Sequence, residues 1–396
     1  MSNSDEFRAA SDRIARIGLV IGVIGSILCV IGVVVDPAQF FRSYLFAYLF
    51  WLSIALGSLG VLMVHHLTGG AWGFVIRRLL EGAAMTIPLM ALLFVPLLFG
   101  LPHLFSWMSP DAMADAALRH KSQFFLNQPW FLARAALYFV VWSSLAWILR
   151  RWSLDQDRVG GGEITRRFQR FCGPGLVVYV FTYSLAAIDW IMTLEPRWYS
   201  TIFGMIVITG QGLAGLAFGI LIAGRLLHGT KLKDAIPEKA FHDLGHLLLA
   251  FVLLWAYMAY SQYIIIWSGN MSTESLWYIH RGHGGWQWVG LFLILFHFFA
   301  PFILLMFGGL KKRIRSLSLI AAGILAAHLV DEFWMVMPTF YTSGVRVSWL
   351  DIVAPLAVGG LWTVAFCRII RGPALVPLHD PRLEPHFDAM EVADRG

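Results

Sequence analysis

Runs of predominantly apolar residues, each about twenty long, recur along this chain and alternate with short segments where Arg, Lys, Gly and Pro collect. As helices, such runs can cross the ~30 Å hydrocarbon core of a bilayer. They are centred near Ile24, Ala55, Met90, Val140, Val180, Leu213, Leu254, Leu295, Gly323 and Val358, which predicts an all-α polytopic membrane protein of about ten transmembrane helices. Helix count alone permits two four-helix bundles, spans 2–5 and 6–9, flanked by the first and last helices. On this reading residues 1–16 are an N-terminal segment, 17–371 the transmembrane helical domain and 372–396 a tail.

Composition agrees. The chain is 58% apolar and only 14% charged, outside the range of a soluble globular domain. The first run is preceded by acidic as well as basic residues, and Asp36-Pro37 lacks the small-residue pattern of a cleavage site, so a retained helix is expected. The longest stretches between spans are 101–129 and 150–173, neither large enough to fold separately. The tail carries Pro373, Pro377, Pro381 and Pro385 among charges and should be extended. No internal repeat is visible.

Charge changes the picture by orienting the helices. Of the 30 Lys and Arg residues, 23 fall on the side that holds both termini and the loops after spans 2, 4, 6 and 8. Arg42, Arg119, Lys121, Arg134, Arg197, Arg281 and Arg346 make up the opposite side. The positive-inside bias therefore predicts cytoplasmic N- and C-termini and an even number of spans. The net charge of +6 reports membrane orientation, and no nucleic-acid partner is implied.

Cys29, Cys172 and Cys367 lie in or beside apolar helices, and no CxxC or CxxCH occurs. Covalent haem c, an iron–sulfur cluster and structural zinc are therefore not expected on this chain.

The candidate chemistry lies in the polar residues of the spans. His328, Asp331 and Glu332 stand at i, i+3 and i+4 in a segment from Leu317 to Met337 that otherwise reads as membrane-spanning, so they share one side of the helix. At ~1.5 Å per residue His328 is about 16 Å from the helix start, where an unpaired charge costs at least about 2.5–3.5 kcal/mol. The expected outer layer comprises Asp189, Glu195, Gln262, Asn270, Asp331 and Glu332, with Tyr263, Glu274, His280, Arg281 and Trp334 nearby. The inner layer comprises His65, His66, Glu81, His242, Asp243 and His246, and His297 and His328 lie between. A vertical series of groups that give and take protons suits proton movement.

Plainer readings stand beside it. The inner residues lie near helix ends and could serve at the interface or as caps, Asp243 for span 7. His242 and His246 have metal-ligand spacing but no third ligand, and His297 with His328 is too small a signal to assign a b-type haem. Asp331 and Glu332 could pair with Arg281 or Arg346, and Arg134 could snorkel to the outer surface. Trp267, Trp277, Tyr278, Trp286 and Trp288 read as an interfacial belt. Gly204, Gly210, Gly212 and Gly215 could let span 6 break as the helices of secondary transporters do, or could serve tight helix packing.

Several segments together resemble one family. Thr68-Gly-Gly-Ala-Trp72-Gly, Arg77-Arg78-Leu-Leu-Glu81, Ile188-Asp189-Trp190-Ile-Met-Thr-Leu-Glu195-Pro196, Ser261-Gln262-Tyr263, Trp267-Ser-Gly-Asn270, Trp277-Tyr278, Arg281 and His328-Leu-Val-Asp331 are similar, in order and spacing, to the NrfD-like membrane subunits of the polysulfide-reductase family. The nearest resemblance is to the ActF-type subunit of alternative complex III, a bacterial quinol:cytochrome c oxidoreductase. The resemblance implies a helical subunit of the cytoplasmic membrane without a redox centre, placed beside a larger NrfD-like paralogue, an iron–sulfur subunit and c-type cytochrome subunits. It implies a proton path through Asp189, Gln262, Asn270, His328 and Asp331, and a quinone or quinol contact at His328, Asp331 or Asp189. Haem and iron–sulfur centres are expected on the partners. A stand-alone proton-coupled secondary transporter and a purely structural anchor are the alternatives.

Overall fold

The computed structural model describes residues 3–109, 116–160, 162–227 and 238–371, so the tail from 372 lies outside the described residues. Among the described residues there is no strand, and ten helices are long and apolar enough to cross a membrane. They are Ala9–Val35, Pro37–Thr68, Ala71–Phe99, Gln128–Arg158, Gly162–Leu194, Phe203–Leu226, Glu238–Gly269, Trp286–Met306, Ile314–Thr339 and Leu350–Ile370, spans 1 to 10. The chain is a multi-pass, all-α membrane protein. Ten crossings bring the ends of the described chain to one face, the terminal face.

Local chemistry starts the helices. Asp36 caps span 2 by accepting from the Gln39 backbone N–H at 3.0 Å, with Pro37 at the first helical position. Asn127 does the same for span 4, accepting from Trp130 N–H at 3.0 Å ahead of Pro129.

Spans 2 and 6 form the centre. Span 2 is apolar all round and 89% of its most hydrophobic window is buried, as a helix surrounded by others must be. The two meet where Gly57 faces the backbone of Gln211 and Gly215, so close that a Cβ on Gly57 or Gly215 would collide with main chain. Small residues allow this approach where lipid supplies no hydrophobic drive. Span 2 packs on 3, 3 on 4, 4 on 5 and 5 on 2, and spans 6 to 9 close a second ring in the same order. Spans 1 and 10 pair along their length through Gly18, Gly22, Gly25 and Gly360, and lean on spans 2 and 3. Two four-helix bundles with a flanking pair are therefore present.

Four features depart from the expected pattern. Span 3 is two helices, Ala71–Ala84 and Ile87–Phe99, because Pro88 cannot donate to the carbonyl four residues back. Span 8 contains a π-helical turn, Ile294–Phe299, just ahead of Pro301, whose missing N–H leaves the preceding carbonyls to be rearranged. The expected long connection at 150–173 is mostly helix, since spans 4 and 5 extend past the apolar run on polar faces and turn at Gly160 with φ 67°. Span 6 is an unbroken helix, Phe203–Leu227, whose glycines serve close packing instead of a break.

A buried histidine and carboxylate cluster as the candidate functional site

His328, Asp331 and Glu332 project from one side of span 9 toward the junction of the two bundles, and all three are buried. His328 Nε2 lies 2.9 Å from Ser53 Oγ of span 2 and 3.5 Å from Glu332 Oε1, while Nδ1 lies 3.9 Å from Asp331 Oδ2. One imidazole thus has a carboxylate beside each nitrogen. The π turn places fully buried His297 from span 8 with its ring 5.9 Å from that of His328. Trp255 of span 7 packs against His297 at 4.2 Å and its indole borders Asp331. Gly210 of span 6 faces both His328 and Trp255, so that a Cβ there would stand 3.5 Å from each. Tyr183 of span 5 lies within electrostatic reach of Glu332. Six helices converge on this place.

Charge balance separates it from the clusters around Asp189, Glu195 and Glu81. Among the described residues no Lys or Arg forms an ion pair with Asp331 or Glu332. The expected partners are engaged elsewhere. Arg281 pairs with Glu195 at 3.0 Å, donates to the carbonyls of Trp334 and Met335, and stacks on Trp277 at 3.8 Å. Arg346 lies over the Tyr341 ring. Protons on the imidazoles or carboxyls are therefore the positive charge available to balance the acids. Both nitrogens of His297, Nδ1 of His328 and Oε2 of Glu332 also have no hydrogen-bond partner among the described residues. Buried polar atoms without partners cost about 1–3 kcal/mol each, and their concentration here calls for water or a polar ligand between them.

Asp189, Glu195 and Glu81 are held by arginines, whereas buried Asp351 accepts from Ser43 at 2.6 Å and Gln39 at 3.1 Å and pairs with no arginine among the described residues. Asp189 accepts from Arg134 Nε at 2.8 Å and Nη2 at 2.7 Å and from Tyr138 at 2.8 Å, so Arg134 turns inward and does not snorkel. Glu195 accepts from Arg281 and from Thr339 at 2.9 Å, with His280 3.4 Å away. Beside it, burial lowers the Arg281 guanidinium to about 10 against the opposing pull of Glu195, and burial raises the Tyr278 phenol to about 12. Gln262 joins Ser200 at 2.8 Å and Tyr278 at 3.3 Å. Asn270 is exposed and ends span 7 with φ 46°, away from the cluster. Trp267 and Trp288 face outward as a belt would, whereas Trp277 and Trp286 are core residues, Trp286 donating to the Tyr341 carbonyl at 2.8 Å.

Near the terminal face His65, His66 and Glu81 are buried instead of serving at the interface, while His246 is exposed and His242 and Asp243 are half-buried. Glu81 is enclosed by Arg77 at 3.0 Å, Arg78 at 2.9 Å and Arg150 at 2.7 Å, and Arg78 also binds Asp157. His66 stacks on Phe168 at 3.9 Å, and His65 meets Trp72 edge-on at 4.9 Å, both fully buried. His242 and His246 face one another at 3.3 Å, with Lys311 Nζ 3.3 Å from His246. Asp243 sits in the second turn of a helix that begins at Glu238, so it does not cap span 7. Among the described residues no group of three or more His, Cys, Asp or Glu side chains could hold a metal ion.

The structure therefore brings His297, His328, Asp331 and Glu332 together and keeps Asp189, Glu195 and Glu81 in separate ion pairs. Ser53, Tyr183, Gly210 and Trp255 complete the cluster, and nothing in their own sequence neighbourhoods marks them. The unpaired acids can pass a proton through the imidazole, one nitrogen receiving while the other releases. No protein-family model matches the chain, and no curated protein matches it.

Proposed function

We propose that the chain is the membrane subunit of a bacterial respiratory quinol:cytochrome c type oxidoreductase that contributes a proton path, with the His297, His328, Asp331 and Glu332 cluster as the mid-membrane step. The observation that supports this reading most is two buried carboxylates flanking one histidine without a Lys or Arg counter-ion among the described residues. Asp189, Glu195 and Glu81, by contrast, are each matched by an arginine. Oxidation of a quinol releases two protons with two electrons. In this reading the electrons pass to haem and iron–sulfur centres on partner subunits, and the protons pass by way of side chains of the kind found here. A quinone contact, if one is made, falls at His328 and Asp331, with Asp189 unsuited while Arg134 and Tyr138 hold it. The lysine and arginine bias supports a cytoplasmic position for both termini in this reading.

The test is Asp331→Asn with Glu332→Gln in the intact complex. Turnover or coupled proton translocation should fall about tenfold or more while the complex still assembles; unchanged coupling would remove the role. Co-purification of haem and iron–sulfur proteins separates this reading from a lone transporter, for which the expected break in span 6 is absent.

A further inference from the structure

Away from the cluster, spans 6 and 9 part on the membrane-facing surface at the terminal face. Between them lies a cleft of about 410 Å³. Its wall is apolar, formed by Leu221, Leu319 and Ala322, and its mouth is lined by Arg225 from the last turn of span 6 and Arg315 from the first turn of span 9. The cleft is built into the packing. Ser318 Oγ donates to the Ile220 carbonyl at 3.1 Å and faces Gly224, which clips the two helices together at its floor. Arg225 and Arg315 are exposed and have no ion-pair or hydrogen-bond partner among the described residues. Lys312 and Arg313, also exposed, add positive potential just before span 9.

We infer that this cleft binds an anionic phospholipid, its phosphate held by Arg225 and Arg315 and an acyl chain laid along Leu221, Leu319 and Ala322. The charge decides the occupant. Two guanidiniums at a helix end sit at headgroup level, each able to offer paired N–H donors to phosphate oxygens, and the apolar surface below them suits a lipid chain and not a soluble anion.

The test measures binding of phosphatidylglycerol and of phosphatidylcholine to the full chain, purified in detergent, by native mass spectrometry. The wild type should prefer phosphatidylglycerol. Arg225→Gln with Arg315→Gln should weaken that lipid about tenfold or more. Arg166→Gln with Arg170→Gln removes the same charge from exposed positions on the same face but outside the cleft, and should leave binding unchanged. Ala322→Phe, which fills the apolar wall, should abolish it with both arginines in place. Equal binding of the two lipids, retained affinity in the Arg225 and Arg315 double variant, or equal weakening by the control pair would overturn the assignment.

Discussion

At the scale of single residues the molecule sorts its buried acids by whether a cation reaches them. Glu81 has three guanidiniums and the Ser153 hydroxyl around it and no exposure to water. Neutralising it leaves three arginines facing an amide that can balance none of their charge. Loss of one partner of a buried pair costs about 3–5 kcal/mol, so Glu81→Gln should lower the thermal midpoint of the detergent-solubilised protein sharply. Glu163 and Arg167, which pair on the surface at 3.3 Å, supply the contrast. An exposed pair is worth about 0–1 kcal/mol, and Glu163→Gln should leave the midpoint nearly unchanged. If Glu81→Gln melts like the wild type, the network is not the structural fastening that its geometry describes.

At the scale of elements, the departures from regular helix in spans 3 and 8 each sit beside a proline, Pro88 and Pro301. The π turn in span 8 inserts one residue's worth of rotation, and His297 is the residue it carries into contact with His328 and Trp255. Deleting Phe296, which faces outward, should restore an α-helical register on this stretch and turn residue 297 away from the cluster. The expected result is a chain that still inserts and assembles but loses proton coupling to the same degree as the Asp331 and Glu332 double variant. Retained coupling in the deletion would show the π turn to be incidental. The i, i+3, i+4 spacing on span 9 made three members of this cluster legible in the sequence, because residues on one helix carry their geometry with them. Ser53, Tyr183, Gly210 and Trp255 were not legible, since each reaches the cluster only through which helix faces meet. The same holds for Arg134, whose sequence position near a helix end pointed outward while its carboxylate partner lay on span 5.

For the whole molecule, the ten spans were legible because the bilayer imposes one demand on every crossing segment, and that demand is written in composition. Helix order around the two bundles was not, since it rests on contacts such as Gly57 against Gly215 that no local pattern announces. Sidedness is the global property that the proposed function needs, because a proton path has an entrance and an exit. Arg167 lies in the second turn of span 5 near the terminal face and Met271 follows span 7 on the other, and both are exposed. Cys29, Cys172 and Cys367 are buried, so a cysteine placed at either site should dominate the reaction with a membrane-impermeant thiol reagent. In sealed right-side-out vesicles Met271→Cys should label at once, and Arg167→Cys only after the membrane is permeabilised. The opposite order would invert the orientation read from the lysines and arginines and move the unpaired carboxylates of span 9, which lie nearer the Met271 face than the Arg167 face by their place in the helix, to the cytoplasmic half of the path.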